Sequence, residues 1–424
     1  MSSEYDMPEG IFGISLAFEG ITDAVTIING PTGCKSYPAW FAEHAYPCRD
    51  KTSYTDEPFK YYKKFFFTQP RVPCTYMDGD DYIMGTEGKL DEVFDAVKEL
   101  KPNLIGMINS PGASLIGETL KLSSEKGVIV KIESPMPSVP LGEGFQDAVI
   151  RILEKLEPKK KKKRKGVNLV GISIFDLGWE DSIGDLKYLL NLCNIDVNTT
   201  IAAGCTVQEL RDSGGAELNV IVHRNFGSEI AKWYESNLDV PYAESAMGAP
   251  IGFDALEDWI KIICKELKKD PSNALKAIKE KRTRAANVLL ALYTVHKPTT
   301  GHTFSVEAQG SLAYPIMTFL YSYLGILPIA LNTGTDRSFD REIKEFIEKN
   351  ELDVSDEVFD TPADVMIGSG DSVASAMYRG LIPEGFDIAR PGRIIVPLKE
   401  RPVLGLNGTM RLLDGVMNTL RRMD

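Results

Sequence analysis

The chain has 424 residues, two to three times the usual domain length, so more than one hydrophobic core is expected. With 43% hydrophobic, 25% charged and 9% aromatic residues it has the make-up of a folded globular protein, which excludes wholesale disorder, collagen-like repeats and fibrous coils. Forty-eight Lys and Arg against 60 Asp and Glu leave a net charge of -12, a balance that repels nucleic acid.

The first segment opens with an apolar, helix-like run, Ile11 to Ile21. A short strand, Ala24 to Ile28, then ends in Asn29-Gly30-Pro31-Thr32-Gly33-Cys34, which places a cysteine just past a strand's carboxyl end. After an irregular stretch rich in Tyr, Phe and Pro, an amphipathic helix near Leu90 to Leu100 leads to the strand Asn103 to Ile108. The loop Asn109 to Ala113, a helix to about Lys126 and the strand Gly127 to Ile132 follow, which makes a βαβ unit on a parallel sheet.

Seven consecutive basic residues, Lys159 to Lys165, interrupt the pattern and read as a solvated linker, with docking of an acidic partner as the exception. The alternation then restarts. Val167 to Phe175 reads as a buried strand, Asp181 to Leu192 as a helix, Glu217 to Val222 as a strand closed by His223, and Phe226 to Asn237 as a helix. Helical sequence from about Gly252 to Thr294 bridges to a third copy: strand His302 to Val306, helix Leu312 to Leu324, strand Ile326 to Leu331, a helix around Arg337 to Lys349, strand Asp364 to Ile367 and a last helix near Thr409 to Arg421. The uncharged stretch Ala308 to Thr335 is long enough to cross a bilayer, but Gly310, Pro315, Gly325 and Pro328 interrupt it, so it reads as a buried helix and strand and no membrane contact is expected.

The expectation is an α/β protein of three tandem Rossmann-like, doubly wound domains with mostly parallel sheets. Residues 1-158 form the first, 159-166 the basic linker, 167-285 the second and 286-424 the third, with ligand sites beyond strand carboxyl ends and between domains. The opening residues Met1 to Asp6 lack a basic-then-apolar signal pattern, and six cysteines are too sparse for a disulfide scaffold, so a reducing cytoplasm is the expected location.

The usual catalytic signatures are missing: no Walker A loop, no His-Glu-x-x-His, no Gly-x-Ser-x-Gly and no cysteine pair at two-residue spacing. Gly368-Ser369-Gly370-Asp371-Ser372 reads as a tight strand-to-helix turn more readily than as an anion cradle. Cys193, Cys205 and Cys264 fall beside or within regular elements and read as buried small hydrophobes. Cys34 differs, because the Gly30-Pro31-Thr32-Gly33 turn lets backbone approach a large inorganic group while a thiolate points outward. A soft thiolate suits iron or zinc, but one alone cannot complete a tetrahedral site, and taken alone Cys34 reads as structural. Cys48 and Cys74 each follow a proline, and each is a further ligand candidate for which a core role is the simpler reading.

The turn Asn29 to Cys34, about two dozen residues after Pro8-Glu9-Gly10, resembles the start of nitrogenase component 1 subunits. Gly85 to Leu90, Lys101 to Ile105 leading into Leu115 to Glu118, Pro250 to Asp254 and Glu400 to Leu413 resemble the beta-type subunit in the same order. The resemblance implies the three-domain fold, and it implies that Cys34, framed by Pro31 and Gly33, ligates an iron-sulfur cluster at a subunit interface. Members with the eight-iron cluster offer three cysteines per subunit. Here the earlier position falls at or near Glu9 and the later one in Ser110-Pro111-Gly112, so a three-thiolate contribution is excluded. The pattern is closer to dark-operative protochlorophyllide reductase, whose beta-type subunit gives one ligand at this turn to a 4Fe-4S cluster.

By that resemblance the chain is the beta-type subunit of an oxidoreductase. It would pair with a homologous alpha-type subunit, receive electrons from a separate ATP-dependent iron-sulfur reductase, and reduce a small molecule, with dinitrogen not favoured. Glu9 is a candidate oxygen ligand. His223 falls where the alpha-type subunit carries its cofactor-binding cysteine; a strand-capping imidazole is the simpler reading, and no iron-molybdenum cofactor is supported. His44, His296 and His302 have no partner pattern. Two alternatives stay open: a scaffold for assembling a metal cofactor, and a metal-free binding protein on the same frame.

Overall fold

In a computed structural model the protein is described over residues 10-45, 72-85, 87-116, 128-133, 139-161, 165-295, 299-390, 392 and 398-423. The chain divides into two compact units. One comprises the described residues of 8-157 with Gly204–Arg211, and the other those of 158-203 and 212-424. Three parallel sheets form among the described residues; two reverse their strand order as a doubly wound fold requires, and the three described strands of the first follow in chain order.

The first unit holds β1 (Ala24–Asn29), β2 (Leu104–Asn109) and β3 (Val128–Glu133), in the order β1-β2-β3. β2 is apolar almost throughout and buried along its whole length, as a strand covered on both faces must be. Ile105 and Met107 point to one face, where Leu90, Phe94 and Val97 of the helix Glu87–Glu99 pack on them. Gly106 points to the other, where an added Cβ would lie 2.4 Å from the Phe18 ring. Phe18 belongs to the helix Gly10–Glu19, which is buried on nearly every side because the helix Leu141–Leu156 covers it in turn. Residues 204-211 complete the unit: Cys205 forms a parallel bridge with Ile21, its carbonyl accepts the Thr22 N–H at 2.7 Å, and the Val207 N–H reaches Asp23 Oδ1 at 2.9 Å.

The second unit carries two sheets. Strands β4 (Val167–Val170), β5 (Val197–Thr200), β6 (Leu218–Ile221) and β7 (Tyr242–Ala243) take the order β5-β4-β6-β7. Strands β8 (Thr303–Glu307), β9 (Leu327–Asn332), β10 (Val365–Ser369) and β11 (Glu384–Ala389) take the order β11-β10-β8-β9. The closing helix Gly405–Met423 is held at its start by the helix Trp179–Asn191, where Asp185 accepts the Asn407 backbone N–H at 2.6 Å and Ser182 Oγ accepts the Val403 N–H at 3.0 Å.

Several elements differ from expectation. The strand expected over Val167 to Phe175 stops at Val170, because the chain turns at Gly171 with φ 91°. The helical sequence from Gly252 to Thr294 is two helices, Phe253–Leu267 and Ser272–Tyr293, parted where Lys268 turns left-handed before Pro271. Strands β5, β7 and β11 and the helix Leu141–Leu156 are absent from the sequence reading; the three strands are short or polar-flecked edges, the least conspicuous kind. The described lysines of the basic run are exposed, and three of them rest in surface ion pairs: Lys160 with Asp239, Lys161 with Asp212 at 2.7 Å and Lys165 with Asp196 at 2.9 Å. The stretch Ala308 to Thr335 forms the helix Gly310–Leu324 and strand β9, and no helix among the described residues is long and apolar enough to cross a membrane.

The two stacked helices of the first unit meet through glycine. A Cβ on Gly13 would fall 2.0 Å from the Leu141 carbonyl oxygen, and one on Gly144 2.2 Å from that of Gly10. The obstacle is rigid backbone in both cases. Gly13→Ala and Gly144→Ala are therefore expected to force the helices apart at a cost of about 1–3 kcal/mol each, read as a lower denaturant midpoint with an unchanged slope.

Candidate functional site

The candidate ligand stands on the carboxyl edge of the first sheet. β1 ends at Asn29, Gly30 and Pro31 turn the chain, and the helix Thr32–Ala45 begins at once. Proline suits this place, since a helix start needs no N–H from it. Cys34 lies in the first helical turn, its N–H on the Pro31 carbonyl at 3.1 Å, so the thiol is carried by a helix start rather than by the turn alone. It is half-buried and in no disulfide, while Thr32 and Gly33 are exposed. A helix N-terminus favours negative charge, as a thiolate carries.

Below the turn lies a row of polar side chains set by strand register. Asn29 pairs with Asn109, and Asn109 with Glu133, at the carboxyl ends of the three strands. Asn29 Nδ2 donates to Asn109 Oδ1 at 3.1 Å, and Asn109 Nδ2 to Glu133 Oε2 at 2.9 Å. Ser114 Oγ donates to the same carboxylate at 2.8 Å. Partial burial pushes the Glu133 carboxyl up, but bonds from Lys131, Asn109 and Ser114 outweigh it and hold the group below the usual carboxylate range. On the far side of β1 the Thr75 hydroxyl donates to Asn29 Oδ1 at 2.9 Å and accepts the Gly30 N–H at 2.9 Å. Lys35, next to the cysteine, donates from Nζ to the Tyr76 hydroxyl at 3.0 Å.

Gly30 and Gly33 face different surroundings. A Cβ on Gly30 would lie 2.5 Å from Ser110 Oγ, whereas one on Gly33 would meet nothing within 4 Å. Gly30 thus lets two neighbouring strand ends close on each other, and Gly33 leaves open space beside Cys34. Ser110, where the resemblance puts the later cysteine, is buried and accepts the Ala113 N–H at 3.2 Å, so its hydroxyl is used in capping the helix Pro111–Ile116.

The other candidates are dispersed. Cys74 is 0% exposed and forms a parallel bridge with Ile28, which puts it in the interior beside β1. Glu9 and Cys48 lie outside the described residues. No group of three or more His, Cys, Asp or Glu capable of holding a metal ion exists among the described residues. His223 is enclosed at the end of β6 in the other unit, with Nδ1 3.0 Å from Ser311 Oγ. Ser369 caps the helix Gly370–Tyr378 by accepting the Ser372 N–H at 3.1 Å, a strand-to-helix turn that uses its own hydroxyl. As a donor set, the one half-buried sulfur fits a single-thiolate contribution to an iron-sulfur cluster, and the described residues alone do not supply the ligands to enclose one.

The chain belongs to the nitrogenase component 1 type oxidoreductase family, whose model matches residues 10–421. It is similar to a light-independent protochlorophyllide reductase chain of Prochlorococcus marinus, 24% identical over 382 residues that cover 82% of this chain and 70% of the relative. It is also similar to the nitrogenase molybdenum-iron protein beta chain of Methanococcus maripaludis, 21% identical over 463 residues covering 96% and 92%. A solved structure of nitrogenase Cp1 at pH 6.5 shares the fold with a TM-score of 0.78 at 15% identity, over 100% of this chain and 95% of that one.

The two glycines of the turn give a matched test. Gly30→Ala is expected to destabilise by about 1–3 kcal/mol, because the methyl group must displace Ser110 against its strand. Gly33→Ala is expected to leave the unfolding midpoint of the full chain nearly unchanged, since the methyl group enters open space.

Proposed function

We propose that this chain is the beta-type subunit of a nitrogenase-like reductase in which Cys34 gives one thiolate to a 4Fe-4S cluster shared with a homologous alpha-type subunit. Electrons would come from a separate ATP-dependent iron-sulfur reductase, and the substrate is a small molecule. The observation that carries this reading is the place of Cys34, a half-buried thiol in the first turn of a helix that starts directly beyond the carboxyl end of β1. Four thiolate-type ligands are the rule for such a cluster, and no group of three metal-ligating side chains exists among the described residues, which supports a partner subunit as the source of the others. When bound, the cluster supplies one-electron transfer. The residues of this chain hold the sulfur in place: the Asn29–Asn109–Glu133 row fixes the strand ends, Gly30 allows the close turn, and the helix start favours the thiolate.

The test is Cys34→Ala in the complex purified without oxygen together with its native partner. Iron and sulfide are expected to fall by one cluster per subunit pair, and the paramagnetic signal seen on reduction to disappear, while the pair still assembles. Unchanged iron and an unchanged signal would reject Cys34 as a ligand.

A further inference from the structure

A second polar constellation lies wholly within the other unit and takes no part in the reading above. His223 closes β6 and precedes the helix Arg224–Leu238, with its ring 0% exposed. Asp176, 5% exposed, lies in the loop after β4 and bridges Ala389 at the end of β11. His223 Nε2 is 3.8 Å from Asp176 Oδ2 and has no hydrogen-bond partner.

The hydrogens along the neighbouring chain of bonds determine which form the imidazole takes. Asn225 Nδ2 donates to Gln309 Oε1 at 2.8 Å, so Asn225 Oδ1 is the acceptor that receives the Ser311 hydroxyl at 2.9 Å. With its hydrogen committed, Ser311 Oγ can only accept from His223 Nδ1 at 3.0 Å. The ring hydrogen is therefore on Nδ1, and Nε2 turns a lone pair toward a carboxylate oxygen. Two lone pairs facing each other in a dry interior repel unless a proton lies between them. The span is too short for a bridging water and about 1 Å longer than a relaxed hydrogen bond, a gap that a small side-chain adjustment closes.

We propose that Asp176 and His223 form a proton-binding site, in which a neutral Asp176 carboxylic acid donates its hydrogen to Nε2 of a neutral His223. The site ties the carboxyl ends of β4 and β6 to the start of the helix Gly310–Leu324. Charged neighbours are otherwise engaged: Arg224 pairs with Glu244 and Glu342, and Asp336 accepts the Gly310 N–H at 2.7 Å. Glu307, at the end of β8, is itself raised by burial, and Arg390, next to Ala389, is lowered by burial against the pull of Glu180. None of them acts on the pair. Burial alone pushes the imidazole down to about 3, and burial, opposed by the Ser173 N–H, pushes the carboxyl up to about 7.

The signs follow from linkage. Asp176, raised on folding, contributes stability present below about pH 4 and lost as pH rises through about 7; His223, lowered on folding, contributes stability present above about pH 6.5 and lost as pH falls toward 3. Between pH 4 and 6.5 folding moves one proton from the histidine to the aspartate with no net uptake by the pair.

Asp176→Asn keeps a hydrogen donor facing Nε2, and Asp176→Leu does not. At pH 6 the Asn variant of the full chain is expected to melt close to the natural protein and the Leu variant well below it. Raising the pH to 8.5 is expected to lower the natural protein's midpoint more than that of the Asn variant. Infrared spectra of the natural protein at pH 6 should show a carboxylic-acid carbonyl band that shifts on labelling aspartate with carbon-13 and is lost in the Asn variant. Absence of that band in the natural protein overturns the proposal whatever the variants do. So does an Asn variant as unstable at pH 6 as the Leu variant, since an ionised aspartate is what asparagine fails to replace.

Discussion

The parallel registry of β1, β2 and β3 is the constraint on which the candidate site rests. Because Asn29, Asn109 and Glu133 are paired positions, their side chains come level at the carboxyl edge and bond in a row. Each has a partner, which matters because a buried amide left without one costs about 1–3 kcal/mol. A one-residue slip would turn these groups to the opposite face of the sheet. The turn that carries Cys34 starts from Asn29, so the position of the sulfur is inherited from this row through only two intervening loop residues, Gly30 and Pro31.

Burial separates the cysteines by chemistry. Cys193 and Cys264 touch each other in the interior of the second unit, and burial pushes the Cys193 thiol up and Cys264 to about 12. They remain thiols near neutral pH, and soft metals bind thiolates. Cys34 is the described cysteine that combines partial exposure with a helix start.

Much of this was legible in the sequence because the strongest signals are local. A short apolar run such as Leu104 to Ile108, bounded by Pro102 and Pro111, reads as a strand covered on both sides, and Gly30-Pro31 after a strand reads as a turn, although the helix that begins at Thr32 was not legible there. What escaped depends on distant residues meeting. Nothing near Ala203 announces that residues 204-211 leave the second sheet to bridge Ile21 of the first unit. The acidic partners of the exposed lysines, Asp196, Asp212 and Asp239, come from three separate segments that no local pattern connects. Asp176 carried no signal, since it follows an apolar run that masks it, and only the fold brings it to His223.

The two constellations show how the same architectural position yields opposite chemistry. Carboxyl ends of parallel strands gather loops and helix starts, and with them polar groups, at one edge of every sheet. On the first sheet a Cβ added at Gly33 would meet nothing within 4 Å, and Cys34 beside it is half-buried rather than enclosed. On the second, Asp176 and His223 are covered by the bridge to Ala389 and by the bond to Ser311 at the head of the helix Gly310–Leu324; Asp176 Oδ2 accepts the Ser173 N–H at 3.0 Å, and His223 Nε2 alone is left facing the carboxylate. Access to solvent, more than residue type, therefore decides which strand end offers a ligand and which holds its polar atoms in a closed pair. A histidine at the open edge would be a metal ligand of ordinary basicity; enclosed as His223 is, burial removes its proton and leaves a lone pair that only another buried hydrogen can answer.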